Sequence, residues 1–215
     1  CSRDWSSDVC SSDLDGEVSK QNIPPTLQET WSKLRPNAKR ISVFCYPGAP
    51  LRKWLESLGS LNEDIDVLLT HGHAEQLSLY GQQELQLPSN LQLLSIPFVS
   101  QDEYDWVLSQ CDFNIVRGED SFVRAQLAGK PFIWHIYPQE DRAHEVKLAA
   151  FLDLYLEEVD QELRLAIIAA MTWAMPSEWF GILNQWSIHA KGWRTQLLKK
   201  QGDGGLAARL LRFTS

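Results

Sequence analysis

The sequence predicts an α/β fold: a Rossmann-like, largely parallel sheet with helices on both faces, followed by C-terminal helices. Three observations predict it. Short apolar runs alternate with stretches of helical spacing from residue 41 to residue 136. Within that span, Phe113-Asn114-Ile115-Val116 reads as a buried strand, 121–128 as a helix stopped by Gly129, and Pro131-Phe132-Ile133-Trp134-His135-Ile136 as a second strand. Between the first strand and the helix lies a short charged loop, Arg117-Gly118-Glu119-Asp120-Ser121-Phe122. That places it at the carboxyl end of a strand, where open α/β sheets bind nucleotides.

The other elements follow in order. Residues 15–40 contain Pro24-Pro25, a short helical stretch over 27–34, and Pro36, and read as a connection. Ile41-Ser42-Val43-Phe44-Cys45-Tyr46 is rich in β-branched and aromatic residues and reads as a strand broken by Pro47-Gly48. Leu51, Trp54, Leu55 and Leu58 have helical spacing. Strands are expected over 66–70 and 91–96, and a helix over 101–110 with Tyr104, Val107 and Leu108 inward. After Tyr137 the pattern is helical over 142–159 and 161–175, and Pro176 ends the second helix. Trp179, Leu183, Trp186, Ala190 and Trp193 then recur on one helical face and read as core.

Composition bounds the function. The chain has 215 residues, 44% of them hydrophobic, and nine Trp, enough for a sizeable core. A formal net charge of −8 disfavours a general nucleic-acid binder, which needs clustered Lys and Arg. No apolar run reaches membrane-spanning length; 163–175 is too short and is interrupted by Arg164. Four Cys at irregular spacing make neither a disulfide framework nor a zinc pattern, so a reducing cytoplasm is the simplest compartment. The His71-Gly72-His73 pair lacks further ligands and reads as a loop. His135 reads as a hydrogen-bonded core residue, and the basic residues of the tail as solvated helix ends. Trp5–Leu14 is a near repeat of five residues without periodicity. Residues 1–14 are therefore expected to be a translated adapter or cloning scar, with a lipoprotein start at Cys1 as the alternative.

The charged loop suggests its own ligand. Arg117 can neutralise a diphosphate, and free N–H groups at a helix start favour the same anion. Ser121 can cap the helix or donate to a phosphate oxygen. Two carboxylates would repel bare phosphate, so Glu119 and Asp120 should face hydroxyls, a cation or a helix N–H. A diphosphate beside hydroxyls suggests a nucleotide sugar. The plainer alternative is that Asp120 or Ser121 caps a helix while Arg117 and Glu119 are solvated.

The segment 117–126, the turn Gly129-Lys130-Pro131-Phe132 and the run Trp134-His135-Ile136-Tyr137-Pro138-Gln139 closely resemble the EarP family. Its members are bacterial protein-arginine rhamnosyltransferases that modify elongation factor P. Ser42-Val43-Phe44-Cys45-Tyr46 and the run from Ile96 to Asp105 fit the same family, and the resemblance extends from about residue 41 to the C-terminus. It implies the C-terminal, donor-binding half of a GT-B glycosyltransferase. Residues 15–40 would then end a missing N-terminal domain, 41–175 would bind the donor, and 176–215 would return toward the missing domain.

The resemblance also implies the ligands. The donor is dTDP-β-L-rhamnose and the acceptor is an arginine of elongation factor P, with no metal and no other cofactor, no nucleic acid and no membrane. Phe44 and Tyr46 would lie near thymidine and diphosphate, and Phe98 and Gln101 would enclose the base. Arg117, Gly118, Glu119, Asp120 and Ser121 would meet the diphosphate, sugar and ribose, with Tyr137 beside the diphosphate. Glu119 is the implied catalytic residue, because the general-base Asp belongs to the missing domain. The fragment alone would be inactive. Pro47-Gly48-Ala49-Pro50 and Ser100 depart from the family pattern. The alternatives are a stand-alone nucleotide-binding module and a GT-B transferase using another nucleotide sugar.

Overall fold

The computed structural model describes residues 23–70 and 88–202. Five strands form one sheet: β1 (Lys39–Val43), β2 (Ile65–Leu69), β3 (Leu91–Ser95), β4 (Phe113–Arg117) and β5 (Phe132–His135). All neighbours are parallel, in the order β3-β2-β1-β4-β5. The chain moves outward from β1 to β3, then returns across β1 to β4 and β5. That reversal makes the carboxyl ends of β1 and β4 a topological switch point. The helices are α1 (Gln28–Ser32), α2 (Leu51–Ser57), α3 (Gln101–Gln110), α4 (Gly118–Ala128), α5 (Ala143–Tyr155), α6 (Gln161–Met171) and α7 (Leu183–Gly202).

Burial explains the strand composition. β2 is buried along its whole length, as is β4 except at Arg117, as expected for parallel strands covered on both faces. One polar pair interrupts the apolar interior. Ser42 on β1 faces Asn114 on β4 in the ladder, and the Ser42 hydroxyl donates to Asn114 Oδ1 at 2.5 Å. Asn114 Nδ2 in turn donates to the Leu108 carbonyl at 3.1 Å. A one-residue slip would bury these groups unpaired, so they fix the β1–β4 register beneath the switch point.

Segment 23–38 is anchored to the sheet rather than loose. Leu27 is fully buried, and Trp31 packs on Trp106 at 4.6 Å between ring centroids. The Arg35 guanidinium meets the fully buried Asp66 carboxylate of β2 at 2.7 Å. At the start of α3, Ser100 and Glu103 form a reciprocal capping box. The Ser that departs from the family pattern is therefore a built helix cap.

Several boundaries differ from those read in the sequence. α4 begins at Gly118, three residues earlier than expected, so most of the supposed loop is helix. β1 ends at Val43, although the Phe44 N–H still donates to the Ile115 carbonyl at 2.8 Å. The expected helix over 161–175 stops at Met171, and α7 starts only at Leu183 after two short 3-10 turns. Gly129 ends α4 as expected, with φ +64°; a Cβ there would lie 2.9 Å from Arg194 Cδ.

The aromatic row is core at its first two members. Trp179 stacks on Phe113 at 4.8 Å, and the fully buried Trp186 donates to the Tyr155 hydroxyl at 3.0 Å. Trp193 is partly buried and donates to Gln126 Oε1 at 2.9 Å. Beside them, His189 packs edge-on against Tyr155 at 4.5 Å, with Nε2 buried and unbonded. Burial holds the His189 imidazolium below the usual histidine range. A depressed folded value means that the unfolded chain binds this proton first as pH falls. His189 therefore supports the fold above about pH 6.5, its ordinary value, and that support is lost as pH drops through its folded value. Urea midpoints measured between pH 7.5 and pH 5 should fall less steeply in His189→Gln than in the parent chain.

The described residues contain no helix long and apolar enough to cross a membrane. The His71-Gly72-His73 pair, the repeat in residues 1–14 and the basic residues of the tail beyond 202 lie outside the described residues.

Candidate functional site

The switch point gathers a cation between aromatic faces. Arg117, the last residue of β4, projects where β1 and β4 end. Its guanidinium carbon lies 4.2 Å from the centre of the Phe44 ring and 5.0 Å from that of Tyr46. Nη1 also donates to the Cys45 carbonyl at 3.4 Å. These contacts hold a planar cation in one orientation through cation–π attraction and a weak hydrogen bond. The Tyr137 ring meets Tyr46 edge-on at 5.2 Å and is itself 62% exposed, leaving a face for a ligand.

α4 starts immediately after Arg117, and no side chain caps it. Its first N–H groups thus follow directly on the residue that carries the guanidinium, and each of the two favours an anion. Gly118 has φ +66°, a left-handed conformation that lets the chain pass from strand to helix without a loop. A Cβ there would sit 3.4 Å from the Tyr46 hydroxyl. The Gly118 carbonyl accepts from Trp134 Nε1 at 2.9 Å, which ties the turn to β5. Phe122, one turn into α4, stacks on Trp134 at 3.9 Å.

The acidic residues divide. Glu119 is exposed and pairs with Lys147 of α5 at 3.1 Å. Asp120 pairs with Arg124 at 2.9 Å, and Arg124 also holds Asp105 of α3 at 2.6 Å. Arg124 thus braces α4 against α3, and its pair with Asp120 within α4 remains more than half exposed on the acidic side. Ser121 is buried in the first turn of the helix and does not cap it, because the helix begins earlier than the sequence suggested. Neither Asp120 nor Ser121 is a cap. Asp102 and Asp120 oppose Arg124 around Asp105, but burial is the main reason the Asp105 carboxyl lies above its ordinary range.

The structure brings together Phe44, Tyr46, Arg117, Gly118 and Tyr137, while Glu119, next in sequence to Gly118, is exposed and turned to Lys147. Phe98 is 89% exposed and Gln101 is exposed at the start of α3, so neither is buried against the residues gathered here. α3 nevertheless reaches the site: Tyr104 meets Phe44 edge-on at 5.9 Å. Burial pushes the neighbouring Cys45 thiol up to about 12, so this cysteine stays protonated at neutral pH and is no nucleophile.

Three participants were not singled out in the sequence. Lys147 is 28 residues from its partner Glu119. Trp134 is one strand residue among several apolar ones. His135 was read as core, yet it is half-buried at the carboxyl end of β5, and its Nδ1 accepts the Tyr46 N–H at 3.1 Å. A polar ring at the carboxyl end of a parallel strand beside the switch point was the available signal.

A parallel, doubly covered Rossmann-like sheet of this order is the fold of a half-domain of the GT-B glycosyltransferase class. Comparison with known proteins narrows this. The family model "Elongation-Factor P (EF-P) rhamnosyltransferase EarP" matches residues 15–215, and the chain belongs to the EarP family. The protein-arginine rhamnosyltransferase of Pseudomonas putida KT2440 is 35% identical over 202 residues, covering 87% of this chain and 53% of that protein. Its Pseudomonas aeruginosa PAO1 counterpart is 35% identical over 189 residues, covering 80% and 49%. A solved structure described as "Structural basis for EarP-mediated arginine glycosylation of translation elongation factor EF-P" superposes with a TM-score of 0.72 at 32% identity, covering 88% of this chain and 64% of that one. The chain spans about half the length of the curated relatives it matches.

Proposed function

We propose that this chain is the donor-binding half of an enzyme that transfers rhamnose from dTDP-β-L-rhamnose to an arginine of elongation factor P. The observation that supports it is the Phe44–Arg117–Tyr46 stack beside the uncapped start of α4. The diphosphate lies against Arg117 and the first N–H groups of α4. Phe44, Tyr46 and Tyr137 face the nucleoside and diphosphate, and Phe98 and Gln101 enclose the base. Glu119, paired with Lys147, faces the sugar or the incoming arginine.

The chemistry follows from these positions. An arginine nitrogen attacks the anomeric carbon in line while the bond to dTDP breaks. The leaving diphosphate gains negative charge, which Arg117 and the helix N–H groups stabilise without reorganising. The acceptor guanidinium is a poor nucleophile because its lone pairs are delocalised and it is protonated. It needs a carboxylate to align it and take a proton. In this reading the base comes from the half of the enzyme outside this chain, and Glu119 contributes orientation from this side.

Titration separates these roles. Glu119→Ala should weaken dTDP-rhamnose by about tenfold while leaving dTDP within about threefold, since only dTDP-rhamnose carries the rhamnosyl hydroxyls that Glu119 would face. An equal loss for both ligands would place Glu119 on the diphosphate side and contradict the assignment.

A further inference from the structure

We propose that His135 is a positioning residue of the donor site, holding Tyr46 through its backbone and itself held by a strained Trp173. The role rests on the donor reading above. β1 ends at Val43, so the Tyr46 N–H has left the sheet ladder. It donates instead to His135 Nδ1 at 3.1 Å, across the end of the intervening strand β4. A ring nitrogen that accepts is unprotonated, so this imidazole is neutral with its proton on Nε2. The ring also meets Tyr46 edge-on at 5.6 Å. Tyr46 in turn meets both Arg117 and Tyr137. His135 thus fixes the backbone of the residue that orients the site's cation.

Trp173 shows that this arrangement is maintained against a local cost. It follows α6 in a left-handed conformation, φ +63°. The Trp173 N–H donates to the Ala170 carbonyl and the Ala174 N–H to that of Ala169. These bonds define a Schellman turn, whose left-handed position usually holds glycine because a side chain is strained there. A bulky residue with positive φ is a genuine outlier, and such strain concentrates at functional sites. The indole occupying this position meets His135 edge-on at 5.3 Å and Trp54 at 6.4 Å. It wedges the imidazole between the core and Tyr46.

The test is calorimetric titration of the full chain with dTDP, joined to hydrogen exchange at the Tyr46 amide. His135→Leu keeps bulk against Trp173 but removes the acceptor. It should weaken dTDP about tenfold and speed exchange at Tyr46. His135→Asn presents a carbonyl oxygen where Nδ1 stood, and should restore binding to within about threefold and slow the exchange again. Trp173→Gly relieves the backbone strain and frees the ring, and should weaken dTDP several-fold in a folded chain. Unchanged binding in His135→Leu, or an Asn variant as weak as Leu, would overturn the role. A parent chain that binds no dTDP yet protects the Tyr46 amide would overturn the donor reading, and the role with it.

Discussion

Replacing Arg117 by Met lowers affinity for dTDP by about 10- to 100-fold, the loss expected for charge-assisted contacts to a diphosphate. Met keeps an apolar stem against Phe44 and Tyr46, so the fold should change little. Arg117→Lys should recover only part of the loss. An ammonium restores charge but not the planar cation that lies 4.2 Å from the Phe44 ring and 5.0 Å from Tyr46. Affinity should also fall with salt in the parent chain more steeply than in the Met variant. A Met variant that binds dTDP like the parent would remove Arg117 from the site.

The largest effect on stability is expected at Arg35. Its guanidinium binds the Asp66 carboxylate at 2.7 Å through Nε and the carbonyls of Ile65 and Asn90 at 2.7 and 3.0 Å through Nη2. The Arg35 N–H donates to Asp66 as well, also at 2.7 Å. Asp66 is fully buried within β2, so Arg35→Met leaves a carboxylate without its counter-charge. Breaking a buried pair on one side costs about 3–5 kcal/mol, read from urea unfolding. Replacing both partners, Arg35→Met with Asp66→Leu, should recover most of it, because no buried charge then remains. A loss below about 1 kcal/mol in the single variant would show that water solvates Asp66.

The sheet was readable because its strands are short apolar runs separated by helical spacing, and a parallel sheet covered on both faces leaves few other arrangements. The helix over 101–110 was read with its boundaries intact, helped by the inward Tyr104, Val107 and Leu108. The start of α4 was not. Glu119 and Asp120 look like loop residues in sequence, yet in the first turn of a helix they complement the dipole. Gly118 supplies the left-handed turn that lets helix follow strand directly, and one glycine does not announce that. The arrest of α6 at Met171 was equally hidden, since a tryptophan occupies the left-handed turn where glycine would have marked it.

At the site, Arg117, Glu119, Phe44 and Tyr46 were legible through the charged segment after β4 and the family resemblance. Their partners were not. Lys147 and His135 reach the site from elements far along the chain, and pairings at such separation have no local periodicity. Asp120 has a partner that the motif did not announce: it is tied to Arg124, one helical turn away, in an i,i+4 pair common on helix surfaces.

The donor site as proposed requires that the switch point of this sheet bind a thymidine diphosphate sugar. The measurement that tests it most directly is calorimetric titration of the chain with dTDP-rhamnose, dTDP and UDP under one buffer and salt condition. Saturable binding of dTDP-rhamnose and dTDP is expected, with UDP, which lacks the 5-methyl group and carries a 2′-hydroxyl, weaker by at least about tenfold, or about 1.4 kcal/mol. Equal affinity for UDP, or no binding of any of the three to the folded chain, would contradict it.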